Sequence, residues 1–139
     1  MMQTLAEQLL NLVFSSLSAM TGITTLSRGR EDAFGADELP AINIRRSTVQ
    51  FEPMTLAHAE MHLDFLLEII VAGGETGADA LHAKAHQWLV ADPQISALSN
   101  NTLFCTATDG DGAECNSYRL AAQYNVRALV SLADLSQPA

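Results

Sequence analysis

The sequence is poor in the residues that most often announce a function. It holds only two cysteines, Cys105 and Cys115, which excludes a disulfide scaffold. It holds one lysine; seven basic residues face sixteen acidic ones, for a formal net charge of -9. That balance disfavours tight binding along a phosphate backbone. It suits a wall past which nucleic acid slides without sticking. Apolar runs fall far short of the ~18 residues that would span a bilayer, so no transmembrane helix is expected. Met1 to Met20 has no basic stretch, and polar residues interrupt its apolar ones, so no signal peptide is expected. There is no Gly-x-Ser-x-Gly motif and no Gly-rich phosphate loop. Cys105 has no activating neighbours in sequence. Both cysteines are expected as reduced thiols, although they flank a Gly-rich turn and a bridge across a hairpin is geometrically allowed.

What is present is a core. An apolar fraction of 48% over 139 residues is that of one folded domain, residues 1–139. From Ala59 every second residue is apolar: Ala59, Met61, Leu63, Phe65, Leu67, Ile69 and Val71. Between them stand His58, Glu60, His62, Asp64, Leu66, Glu68 and Ile70. This is period two, a strand with one dry face and one polar face. Tyr118 to Leu132 alternates in the same way, with Tyr118, Leu120, Ala122, Tyr124, Val126, Ala128 and Val130 on one side. Shorter strands are expected at 23–28, 41–51 and 102–108. Strand 41–51 and the long strand, separated by Pro53, read as an antiparallel hairpin.

Helical spacing of Leu5, Leu9, Leu12, Val13, Leu17 and Met20 predicts a helix from residue 3 to about 20. Thr4 with Glu7 forms a capping-box pattern, and Gly22 is a stop. A second helix is expected from Thr76, capped with Asp79, to about Ala91, burying Leu81, Ala85, Trp88 and Leu89. Asp92-Pro93 opens a short third helix that packs Ile95 and Leu98. Asp109-Gly110-Asp111-Gly112 reads as a tight turn. The tail, 133–139, is expected to fray. The fold class is therefore α+β: a twisted, mainly antiparallel sheet of about four to six strands with two main helices on one face.

Two His-x-x-x-His spacings invite a metal reading. On a strand, His58 and His62 lie about 13 Å apart and cannot share one ion. Chelation there needs an i, i+2 pair such as Glu60 with His62. His82 and His86 do share a helix face near Asp79, but the Glu that follows the first histidine of a zincin is replaced by Ala83. Asp109, Asp111 and Glu114 form only a fragment of a calcium loop. A solvated polar surface explains each of these better, so neither a metal nor a cofactor is expected.

An acidic segment, Asp37-Glu38-Leu39, followed by Pro40-Ala41 and an alternating strand, resembles the tail terminator (tail-completion) family of long-tailed phages, typified by the lambda minor tail protein U. Element order and spacing carry the resemblance along most of the chain, from the first helix to the last long strand. Cys105 to Ser117 and the final Ser-Gln-Pro-Ala lie outside it. The resemblance implies a structural protein, not an enzyme. It implies a homo-hexameric ring that caps the tail tube, ends its polymerisation and meets the head–tail connector. DNA would pass through unbound, no membrane is involved, and the protein would move from host cytoplasm to virion tail. Charge suggests the ring contact. The Glu31, Asp32, Asp37 and Glu38 loop of one subunit would meet Arg28, Arg30, Arg45 or Arg46 of the next. Glu60, Asp64 and Glu68 would face the lumen or a neighbour. The competing readings are a small metal-binding or enzymatic domain using His82 and His86, and an accessory protein-binding domain.

Overall fold

The computed structural model describes residues 3–99, 102–112 and 117–138. Helix α1 (Leu5–Ser18) is followed by strand β1 (Thr25–Arg28), a single 3-10 turn at Ala36–Glu38, and strands β2 (Ala41–Pro53) and β3 (His58–Ala72). Helices α2 (Glu75–Val90) and α3 (Pro93–Leu98) precede β4 (Phe104–Gly112) and β5 (Ser117–Ser131). All five strands join one sheet in the order β1-β2-β3-β5-β4. Only β1 runs parallel to its neighbour; the other pairings are antiparallel. The α+β class with a mainly antiparallel sheet is therefore observed.

The alternation of β3 and β5 sets the layers. Ala59, Met61, Leu63, Phe65, Leu67 and Ile69 are buried, as are Ala122, Tyr124, Val126, Ala128 and Val130 on the same face. The register opposes Phe65 to Tyr124 and Leu63 to Val126. Leu5, Leu9, Leu10, Val13 and Leu17 of α1 and Ala78, Ala85 and Leu89 of α2 close this face. Aromatic packing adds direction, with the Phe65 and Tyr124 rings stacked at 5.4 Å between centroids and 11° between planes.

Several local expectations change. Thr4 Oγ1 does accept from the Glu7 amide at the start of α1. Helix α2, in contrast, starts after Gly74 without a side-chain cap, two residues earlier than the Thr76 capping pattern implies. Trp88 is not core. It is 40% exposed and its indole N–H donates to the Ser16 carbonyl at 2.7 Å, tying α2 to the end of α1. Lys84 reinforces that tie by donating to the Thr21 carbonyl at 2.6 Å. Asp109 to Gly112 do not turn. They extend β4, paired with Ala121 back to Tyr118. The Tyr118 ring lies so close over Gly110 that an added Cβ would fall 1.9 Å from its hydroxyl, so the glycine makes room for the aromatic in the ladder. Residues 113–116, with Glu114 and Cys115, lie outside the described residues. The tail is docked, not frayed. The Leu135 carbonyl accepts from the Leu5 amide at 2.7 Å, the Ser136 carbonyl accepts from Gln8 at 2.8 Å, and Pro138 bridges to Val130.

Leu63 is fully buried on the inward face of the central strand. Leu63→Ala is expected to cost about 2–5 kcal/mol in urea unfolding, whereas Leu56→Ala, at the solvent-exposed hairpin tip, should cost under ~0.5 kcal/mol.

Candidate functional site

Two polar assemblies stand on opposite sides of the sheet. The first lies on the face without helices. Asn43 and Glu68, register partners on β2 and β3, are only 1% and 3% exposed. Asn43 Nδ2 donates to Glu68 Oε1 at 3.0 Å and to the Arg30 carbonyl at 2.9 Å. Its Oδ1 accepts from the Ser27 hydroxyl at 3.0 Å and the Arg30 amide at 3.1 Å. Arg45 Nε donates to Glu68 Oε1 at 2.7 Å, and Arg119 Nε to Glu68 Oε2 at 2.8 Å; Arg119 Nη2 also reaches Oε2. Burial pushes the Glu68 carboxyl up, but the hydrogen bonds and charges of the two arginines outweigh it and hold the group below the ordinary carboxylate range.

This assembly anchors the acidic loop. Arg45 Nη2 holds the Arg30 carbonyl at 2.8 Å. The Arg30 guanidinium grips Glu38 with two bonds of 2.6 and 2.9 Å and lies 4.1 Å over the Phe34 ring. Arg30 and the Gly35 amide pull the Glu38 carboxyl down to about 2. Around the edge of the sheet, Arg28 pairs with Glu7 at 3.1 Å and donates to Asn11 at 2.8 Å, while Arg46 reaches the same Glu7 at 3.5 Å.

The four predicted arginines therefore all have partners within their own chain. Arg45 and Arg46 point to opposite faces, as adjacent strand residues should. Of the acidic loop, Glu31, Asp32 and Asp37 are exposed, whereas Glu38 is spent on Arg30. Glu68 does not offer a free carboxylate to a lumen, because a carboxylate this buried needs its two arginines. Asp64 accepts from Thr48 at 2.9 Å and from Asn125 at 2.6 Å. Glu60 accepts from His62 at 2.7 Å, and Glu52, its partner across the hairpin, sits 3.6 Å from the same ring nitrogen. These three are the one trio of metal-type donors brought together among the described residues. Arg45, Arg119 and Arg127 are interspersed on this face, so it is mixed in charge and not an acidic wall.

The second assembly lies half-buried between α2 and the sheet. His82 Nε2 and His86 Nδ1 both lie 2.9 Å from the Tyr124 hydroxyl. The expected solvated surface for this pair is therefore incorrect. Ala78 and Ala85 let α2 approach the sheet closely, which turns the two histidines inward onto the buried phenol. One hydroxyl can donate to one imidazole and accept from the other, so both rings are satisfied when neutral. Burial, and after it the neighbouring His86, push the His82 pKa down, against a smaller opposing pull from Asp79. Burial likewise pushes the Tyr124 hydroxyl up.

No protein-family model matches the sequence, and no curated protein matches it. Among solved structures, the chain is similar to one from "Virion of native gene transfer agent (GTA) particle". The TM-score is 0.54 at 16% identity, over 83% of this chain and 90% of that one. At that identity the likeness is one of fold.

A histidine whose folded pKa is depressed contributes stability above its unfolded value near 6.5 and loses it as pH falls toward the folded one. The thermal midpoint should therefore drop between pH 7.5 and about pH 5, above the range in which Glu7, Glu38 and Glu68 titrate. His82→Phe should flatten that drop; an unchanged slope would contradict the assignment.

Proposed function

We propose that this chain is a structural component of a phage-like particle that caps a tail tube, terminates its polymerisation and meets the head-side connector. The observation that carries the reading is the shared fold over nearly the full length of a chain from a virion particle. The sequence resemblance to tail terminators points the same way. A ring-forming role fits the distribution of chemistry. The helix face is closed by the protein's own core, while the other sheet face, the acidic loop and the β2–β3 hairpin tip with Phe51, Met54 and Leu56 stand open. Such surfaces suit heterologous contacts between identical subunits.

The ring contact we favour joins the exposed Glu31, Asp32 and Asp37 of one subunit to Arg46 of the next. Of the four predicted arginines, Arg46 has the longest intrachain ion pair, at 3.5 Å, and a 43% exposed side chain, so it can change partner at little cost. Arg45 and Arg30 are committed to Glu68 and Glu38 and position the loop instead. Glu60 and Asp64 face the lumen or a neighbour, and with a chain charge of -9 the assembly lets DNA through without holding it.

Mixing the purified protein with polymerising tail tube protein should halt tube growth and leave six-fold rings at tube ends in negative-stain micrographs. Arg46→Glu should abolish the rings while leaving the monomer's melting within ~0.5 kcal/mol of wild type. Combining it with Asp32→Arg and Asp37→Arg should restore them. Tubes that grow unchecked, with no ring at their ends, would overturn the reading.

A further inference from the structure

The β2–β3 hairpin brings Glu60, assigned above to the lumen or a neighbour, together with Glu52 and His62 as a donor set for which the proposed tail role has no further use. Glu52 and Glu60 are register partners, so two carboxylates stand directly across the ladder from each other. Like charges in that position repel. His62, two residues on from Glu60 and on the same face, turns Nε2 toward both, 2.7 Å from Glu60 and 3.6 Å from Glu52. The three donor atoms fall within 4.8 Å of one another. A neutral imidazole has one proton to offer through that nitrogen, so it can satisfy one carboxylate and leaves the other facing its own kind.

We propose that Glu52, Glu60 and His62 form a binding site for a divalent cation of the zinc type. One imidazole and two carboxylates are the ligand set such an ion takes, with the fourth position left open. Magnesium and calcium, which prefer all-oxygen shells, fit less well. The convergence is a product of register. Glu60 and His62 share a face because they are two apart on one strand, and Glu52 joins them because the hairpin folds it back. The cation would neutralise the facing pair and clamp β2 to β3 just before the exposed apolar tip at Met54 and Leu56. Arg127 stands opposite His62 on β5 with its side chain exposed to solvent, so it can move away as the ion enters.

The test is a zinc titration of chelator-treated full-length protein by calorimetry at pH 7.5, with melting curves recorded with and without zinc. One ion per chain is expected, with a raised melting temperature. Glu60→Gln and His62→Gln should each weaken binding about tenfold or more. Glu52→Gln should weaken it as well, which separates a three-donor site from an adventitious Glu60–His62 pair. His86→Gln, which alters the other histidine cluster, should leave affinity unchanged. Absence of binding, binding indifferent to Glu60 and His62, or binding lost in His86→Gln would each overturn the proposal. None of these outcomes depends on tail assembly, so the site can fail while the tail reading stands, and the reverse.

Discussion

The rest of the structure depends on the register of β3. This strand is central, paired along its length with β2 on one side and β5 on the other. Its odd-numbered residues enter the core, and its even-numbered ones line the opposite face. A slip by one residue would turn Asp64 and Glu68 into the helices and expose Phe65 and Leu67. Two features forbid it. The dry face needs the stacked Phe65–Tyr124 pair against α2, and the polar face needs Glu68 between Arg45 and Arg119. The second differs in kind. A buried carboxylate adds little net stability, yet it is costly to misplace, so it selects one pairing over its neighbours.

From that node the acidic loop acquires its shape. Asn43 and Arg45 hold the Arg30 backbone, and Arg30 in turn holds Glu38 and Phe34. The loop is thus an ordered ledge whose exposed acids are presented by a chain of hydrogen bonds reaching back to the sheet's centre. Surfaces that must meet an identical neighbour in a closed ring gain from such preorganisation, because less entropy is lost on contact. In the proposed ring the same logic favours Arg46 over Arg45 as the inter-subunit partner, since of the two only Arg46 can change partner without uncovering a buried charge.

Much of this was legible in the sequence. Period-two runs around Phe65 and Tyr124 located both long strands and their inward faces, and Thr4, Asp92 and Pro93 marked helix starts correctly. What the sequence hid were consequences of pairing. Nothing in the string brings Glu52 beside His62, or Arg119 beside Glu68, because those contacts arise from register across separate strands. Helix α2 misled for a related reason. Its weakly apolar sequence made Trp88 the natural anchor, but small Ala78 and Ala85 allowed a close approach that turned His82 and His86 inward to Tyr124 and left Trp88 at the edge. The Asp-Gly-Asp-Gly stretch has turn chemistry, yet Tyr118 packing over Gly110 carried the ladder through it.

The claim that Glu68 and its arginines fix the register is tested most directly by a double-mutant cycle on stability. Glu68→Gln, Arg119→Gln and the double variant would be unfolded in urea at pH 7. Non-additive losses are expected, with a coupling energy of about 1 kcal/mol or more even after allowing for the partly exposed guanidinium. Losses that add to within about 0.3 kcal/mol would show that the two side chains stand together without acting together, and would contradict it.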